Sequence, residues 1–128
     1  MKTGTSPKFI ITRAIYIACF CLGTFNHARD FASSGWRPYA ASPPILEAYW
    51  TSLIFLDLLV VALLLLRSMQ VGLLLAISVM ITDVAANAYA SFWLGVPGFN
   101  IGLPLQAAFL GFMLGSAPFL WPGKSMSA

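Results

Sequence analysis

Charge is what this sequence has least of. Of 128 residues, seven are Lys or Arg and four are Asp or Glu, so 9% are charged while 59% are hydrophobic. A soluble domain normally carries about a quarter charged residues. So few would leave a small globule with a mostly apolar surface, and a mean hydropathy of +0.84 fits lipid as the solvent instead. The basic residues are spread along the chain, which excludes a nucleic-acid-binding face despite a net charge of +3. A single histidine, His27, excludes bis-histidine haem ligation and a histidine-rich metal site. Cys19 and Cys21 stand two apart, on roughly opposite faces of a helix, so they are not expected to pair and do not form a C-x-x-C redox motif. No Gly-rich phosphate loop, metal spacing or nucleophile–base pair is visible, so neither a cofactor nor a metal is expected, and enzyme activity has no constellation behind it.

What remains is four long apolar runs, predicting an all-α, four-transmembrane-helix bundle as a single domain, with spans at about 9–28, 44–66, 71–93 and 101–121. Each is about twenty residues, the length a bilayer core demands at ~1.5 Å per residue. The first run follows a polar, lysine-bearing tail as a signal peptide would. It lacks a small-x-small cleavage site and is long enough to span, so it reads as a retained helix whose Arg13 snorkels to the headgroups. A loop at 31–43, rich in Ser, Gly, Pro and aromatics, is predicted to cap the interface. Pro43-Pro44 open the second span. Arg67-Ser68-Met69-Gln70 is a tight turn that makes spans two and three a hairpin, and the Gly- and Pro-bearing connector 94–100 ends the third. Lys2, Lys8, Arg13, Arg67 and Lys124 fall on one side of the membrane and Arg29 and Arg37 on the other, which predicts both termini in the cytoplasm. The short loops suit a bacterial inner membrane, or the ER membrane in a eukaryote. Trp93 and Trp121 stand where interfacial anchors belong, as do Tyr49 and Trp50.

Two acids interrupt the apolar hairpin. Asp57 and Asp83 each lie ~15–20 Å from the Arg67 turn, near mid-membrane. Burying a carboxylate there costs at least ~2.5–3.5 kcal/mol on insertion scales, and no lysine or arginine lies at that depth. Asn87 is one helical turn from Asp83, and Tyr49 and Trp50 are expected to roof Asp57. Thr12, Tyr16, Cys19, Gly23, Asn26 and Asp30 form a stripe on span one, and Ala108, Gly111, Gly115 and Pro118 another on span four, both expected to face the bundle interior. Small residues also promote plain helix packing. An Asp–Asn hydrogen bond can simply lock two helices together, which leaves Asp83 open between site and structure. His27 and Arg29 are expected in a solvated cluster at the end of span one.

The stretch from Pro43-Pro44 through Tyr49-Trp50-Thr51-Ser52-Leu53-Ile54-Phe55-Leu56-Asp57-Leu58 resembles the second span of the EXPERA superfamily, the family of the sigma-2 receptor and the emopamil-binding sterol isomerases. Asp57 stands where that span has a mid-helix Glu, and Thr24-Phe25-Asn26-His27-Ala28-Arg29-Asp30 is similar to the family's stretch ending in a ligand-pairing Asp, which maps to Asp30. The resemblance implies a pocket in the bundle, open toward lipid, that holds sterol-like or amphiphilic amine ligands through a carboxylate. The isomerases' mid-span His-plus-Glu pair is not expected, because His27 falls at the end of its span.

Three functions fit these residues. The first is a membrane-embedded binding protein for a hydrophobic or amphiphilic small molecule, with Asp57, Asp30, Asp83, Asn87, Tyr49 and Trp50 as binding residues. The second is a proton-coupled small transporter using Asp57 or Asp83. The third is a non-catalytic subunit of a larger membrane complex. The partners expected are the lipid bilayer, a hydrophobic or sterol-like ligand and, in the assembled state, a homodimer or larger complex, with no nucleic acid.

Overall fold

The computed structural model describes residues 5–122. They form four helices, α1 (Pro7–Ser34), α2 (Pro44–Leu65), α3 (Met69–Phe92) and α4 (Gly102–Leu120), and among the described residues no strand. Each helix is long and apolar enough to cross a membrane, so the fold is the all-α four-helix bundle of a multipass membrane protein. Lys2 and Lys124, two of the cations assigned to the cytoplasmic side, lie outside the described residues.

Local chemistry sets the helix ends. Ser6 caps α1 by accepting the Phe9 N–H at 3.2 Å, and Pro7 opens the first turn with its φ already helical. The helix continues past the expected end at Ala28 to Ser34, since nothing from Asn26 to Ala32 breaks a helix once the bundle supports it. Gly35, at φ 82°, stops it. With 28 residues α1 is ~42 Å long, more than a hydrocarbon core of ~30 Å requires. The reversal between α2 and α3 is a Schellman motif. Arg67 takes the left-handed position at φ 61°, Ser68 N–H donates to Leu63 C=O at 2.9 Å, and Arg67 N–H donates to Leu64 C=O at 3.4 Å. A side chain in that conformation costs ~1–2 kcal/mol relative to glycine.

The helices close a ring, each packing on its sequence neighbours and α4 returning to α1. At the end holding the Arg67 reversal, here the turn end, Tyr16 is fully buried and donates to Met113 C=O at 2.9 Å, with Ser116 Oγ also 2.9 Å from its hydroxyl. Phe109 and Phe112 meet the Tyr16 ring edge-on. These contacts set the rotation of α4, whose buried residues are Met113, Ser116 and Leu120. The Gly111–Gly115 stripe consequently faces outward, where an added Cβ meets nothing within 4 Å, and does not line the interior as expected. On α1, Asn26 and Cys21 are exposed, Cys19 is half-buried, and Phe20 joins the core instead. Close approach happens at Gly72, where a Cβ would stand 3.1 Å from Leu64 and 3.2 Å from Leu63. Arg13 is spent on protein rather than headgroups. It donates to Leu64 C=O at 2.8 Å and Leu65 C=O at 3.2 Å, satisfying the orphan carbonyls at the end of α2.

Candidate functional site

The other end of the bundle, here the loop end, holds two polar assemblies. The first centres on Asp83, which is 8% exposed. One turn along α3, the Asn87 amide donates to Asp83 Oδ1 at 3.1 Å and to Gln106 Oε1 of α4 at 2.7 Å. Gln106 Nε2 in turn donates to Asp83 Oδ2 at 3.3 Å, and the Trp50 indole of α2 donates to Asn87 Oδ1 at 2.9 Å. Both Asn87 amide hydrogens, its carbonyl and both carboxyl oxygens of Asp83 are therefore used. The assembly ties α2, α3 and α4 together, and Phe99 covers Trp50 at 6.2 Å between ring centroids. Such closure is what buried polar groups require when water is absent.

The second assembly centres on Asp57, which is 6% exposed and makes no hydrogen bond. No fully sealed side-chain N or O among the described residues lacks a partner, so the unbonded Asp57 oxygens are not completely sealed. Their neighbour is His27, whose Nε2 stands 3.8 Å from Asp57 Oδ2. The other imidazole nitrogen, Nδ1, is 3.0 Å from the Tyr39 hydroxyl, which donates to Asp30 Oδ2 at 2.6 Å. Burial and the Asp30 carboxylate hold the Tyr39 proton well above the usual tyrosine range. Since Tyr39 has one hydrogen and gives it to Asp30, His27 Nδ1 must be the donor to Tyr39. A neutral His27 then presents a bare Nε2 to Asp57, so the two groups are matched only when a proton lies between them. Gly23, one turn before His27, makes the room: a Cβ there would lie 2.5 Å from Asp57 Oδ2.

The loop carrying Tyr39 is fastened to the first turn of α2 by Arg37, which donates through Nε and a terminal nitrogen to the two Glu47 oxygens at 2.7 and 2.9 Å. Tyr39 also packs its ring 5.6 Å from that of Trp50, so the two assemblies touch. The roles anticipated from sequence are redistributed. Trp50 and Asn87 belong to the Asp83 assembly, and Tyr49 turns to α3, its hydroxyl 2.6 Å from Thr82 Oγ1, rather than roofing Asp57. Asp30 reaches Asp57 through Tyr39 and His27. His27, far from being solvated, has a side chain 17% exposed. Two clefts, of about 380 and 510 Å³, lie at the turn end, beside Arg67 and Pro122 and between α3 and α4, away from Asp57. Among the described residues no three His, Cys, Asp or Glu side chains gather as a metal set would.

His27, Tyr39, Gln106 and Gly23 were not singled out as binding residues from the sequence. Gly23, His27 and Asp30 do fall at steps of four and three, the spacing of one helix face, and Gln106 is a lone amide in an apolar run. Those signals were present but need the neighbouring helices to give them meaning. No protein-family model, curated protein or solved structure matches the chain.

Proposed function

We propose that this bundle is a membrane-embedded binding protein for a hydrophobic or amphiphilic small molecule, anchored by Asp57 through a cationic or hydrogen-bond-donating head. The observation that carries this is the contrast in satisfaction. Asp83 is saturated by amide donors, whereas Asp57 is buried in an apolar span with no hydrogen bond to either oxygen. A span tolerates such an acid at a cost of several kcal/mol, and intramembrane acids kept at that cost mark ligand or ion sites. Leu53 and Val60, buried one turn to either side of Asp57 on the same helix face, make its surroundings apolar, which suits the hydrophobic part of such a ligand. A bound head would take the place beside Gly23 that the Asp57 carboxyl now fills. The resemblance of residues 43–58 to the EXPERA second span argues for the same ligand class, sterol-like or cationic amphiphile. The basic-residue bias further argues for both termini in the cytoplasm, and the short loops for a bacterial inner membrane.

The test is equilibrium binding to protein in lipid nanodiscs, using dodecyltrimethylammonium as the cationic amphiphile and dodecanol as its neutral counterpart. Saturable binding of the cation is expected, weakened at least tenfold in Asp57→Ala. Binding that survives unchanged in both Asp57→Ala and Asp30→Ala refutes the proposal.

A further inference from the structure

The Asp57 assembly is more than a lone acid, and its hydrogen bonds run in one direction. From the loop end inward they join Asp30, Tyr39 and His27, at 2.6 and 3.0 Å, and the chain ends 3.8 Å from Asp57. We infer that these residues form a proton path linking the loop end of the bundle to Asp57, so that a cation bound at Asp57 displaces a proton outward along it. The ligand half of this statement rests on the proposed function; the path itself does not.

The proton balance closes. When Asp57 is protonated and a cation arrives, the carboxyl proton passes to His27 Nε2. The Nδ1 hydrogen passes to the Tyr39 oxygen, the Tyr39 hydrogen to Asp30, and Asp30 gives a proton to water. One positive charge enters the site and one leaves, so the buried carboxylate is never left without a counterion. The path resets when the Tyr39 hydroxyl and the His27 ring turn back. The gap of 3.8 Å exceeds a hydrogen bond by about 1 Å, a distance that a small rotation of the two facing side chains closes.

The surroundings leave few competing routes. From α1 the titratable group facing Asp57 is His27, and from the loop it is Tyr39 behind it. From α3 the facing group is Asp83, whose oxygens are held by Asn87 and Gln106. On α2 itself Tyr49 is engaged with Thr82. The cations Arg13 and Arg37 are occupied by the α2 carbonyls and by Glu47. Asp30 is half-buried near the end of α1, where its carboxyl meets the loop.

Time-resolved infrared spectroscopy after a pH jump, on nanodisc-embedded protein, reads the path without any ligand. The protonated-carboxyl band absent from Asp57→Asn identifies the group. In wild-type protein this band is expected to follow the jump, and in Tyr39→Phe and His27→Gln to follow at least tenfold more slowly. Tyr89→Phe, an exposed ring on α3, serves as the matched control and is expected to keep the wild-type rate. Thermal melting selects the folded variants, and either path variant alone decides the outcome. Wild-type rates in the folded path variants, or an Asp57 band that ignores pH, overturn the proton path. Adding dodecyltrimethylammonium to wild-type protein below the midpoint of the band is expected to remove it with release of one proton per bound cation. Binding without proton release overturns the coupling and leaves the binding proposal intact. If the cation fails to bind, the binding proposal falls, and with it the coupling, while the pH-jump rates still decide the path.

Discussion

Asp57 and Asp83 face each other across the α2–α3 hairpin, nearly equal in burial at 6% and 8% exposure, and opposite in chemistry. Asp83 accepts one amide hydrogen on each oxygen and joins three helices through Asn87, Gln106 and Trp50. Asp57 accepts none, and beside it stand a histidine and a glycine whose missing side chain gives the carboxyl its place. Burial alone therefore does not mark a site. A buried acid whose lone pairs are all used holds helices together, and one whose lone pairs are free is available for a ligand or a proton.

Stability should separate the two most sharply. Asp83→Leu strands the Gln106 amide and one Asn87 hydrogen, and a loss of about 2 kcal/mol is expected in unfolding from mixed micelles. Asp57→Leu removes an unpaired acid from an apolar span and should leave stability unchanged or raise it by about 1 kcal/mol. Equal losses would erase the distinction. Gly23→Ala comes next. Its methyl group meets the Asp57 carboxyl at the flexible end of a side chain, so we expect about 1 kcal/mol of destabilisation with at least a tenfold loss of cation binding. Arg13→Leu, at the turn end, should cost about 1 kcal/mol by freeing the last α2 carbonyls, with cation binding retained. The smallest effect is expected at Gly115→Ala, within about 0.5 kcal/mol, since its Cβ meets open space in the single chain. A much larger change there in the thermal melt would mean that this face is covered in the assembled state.

The sequence made the four spans legible because hydropathy is summed over some twenty residues, and single polar residues do not disturb the sum. It hid the last turns of α1, where His27, Arg29 and Asp30 look like the start of a loop but continue as helix to Ser34. The pairing of Asp83 with Asn87 could be read from their spacing within one helix. The pairing of His27 with Asp57 could not, because it depends on the rotation and depth of α1 against α2, and no single-helix pattern contains either. The same limit explains the misplaced glycines of α4. Periodicity shows that Gly111 and Gly115 share a face, whereas the Tyr16 hydrogen bonds and the phenylalanines beside them decide which way that face turns.

The division of labour between the two acids is tested most directly by measuring dodecyltrimethylammonium affinity and melting temperature side by side for Asp57→Asn and Asp83→Asn in nanodiscs. Asp57→Asn is expected to lose at least tenfold in affinity while melting at or above the wild-type temperature. Asp83→Asn is expected to melt lower and keep its affinity. The reverse pattern, with binding lost at Asp83 and stability lost at Asp57, would contradict the assignment of site and scaffold.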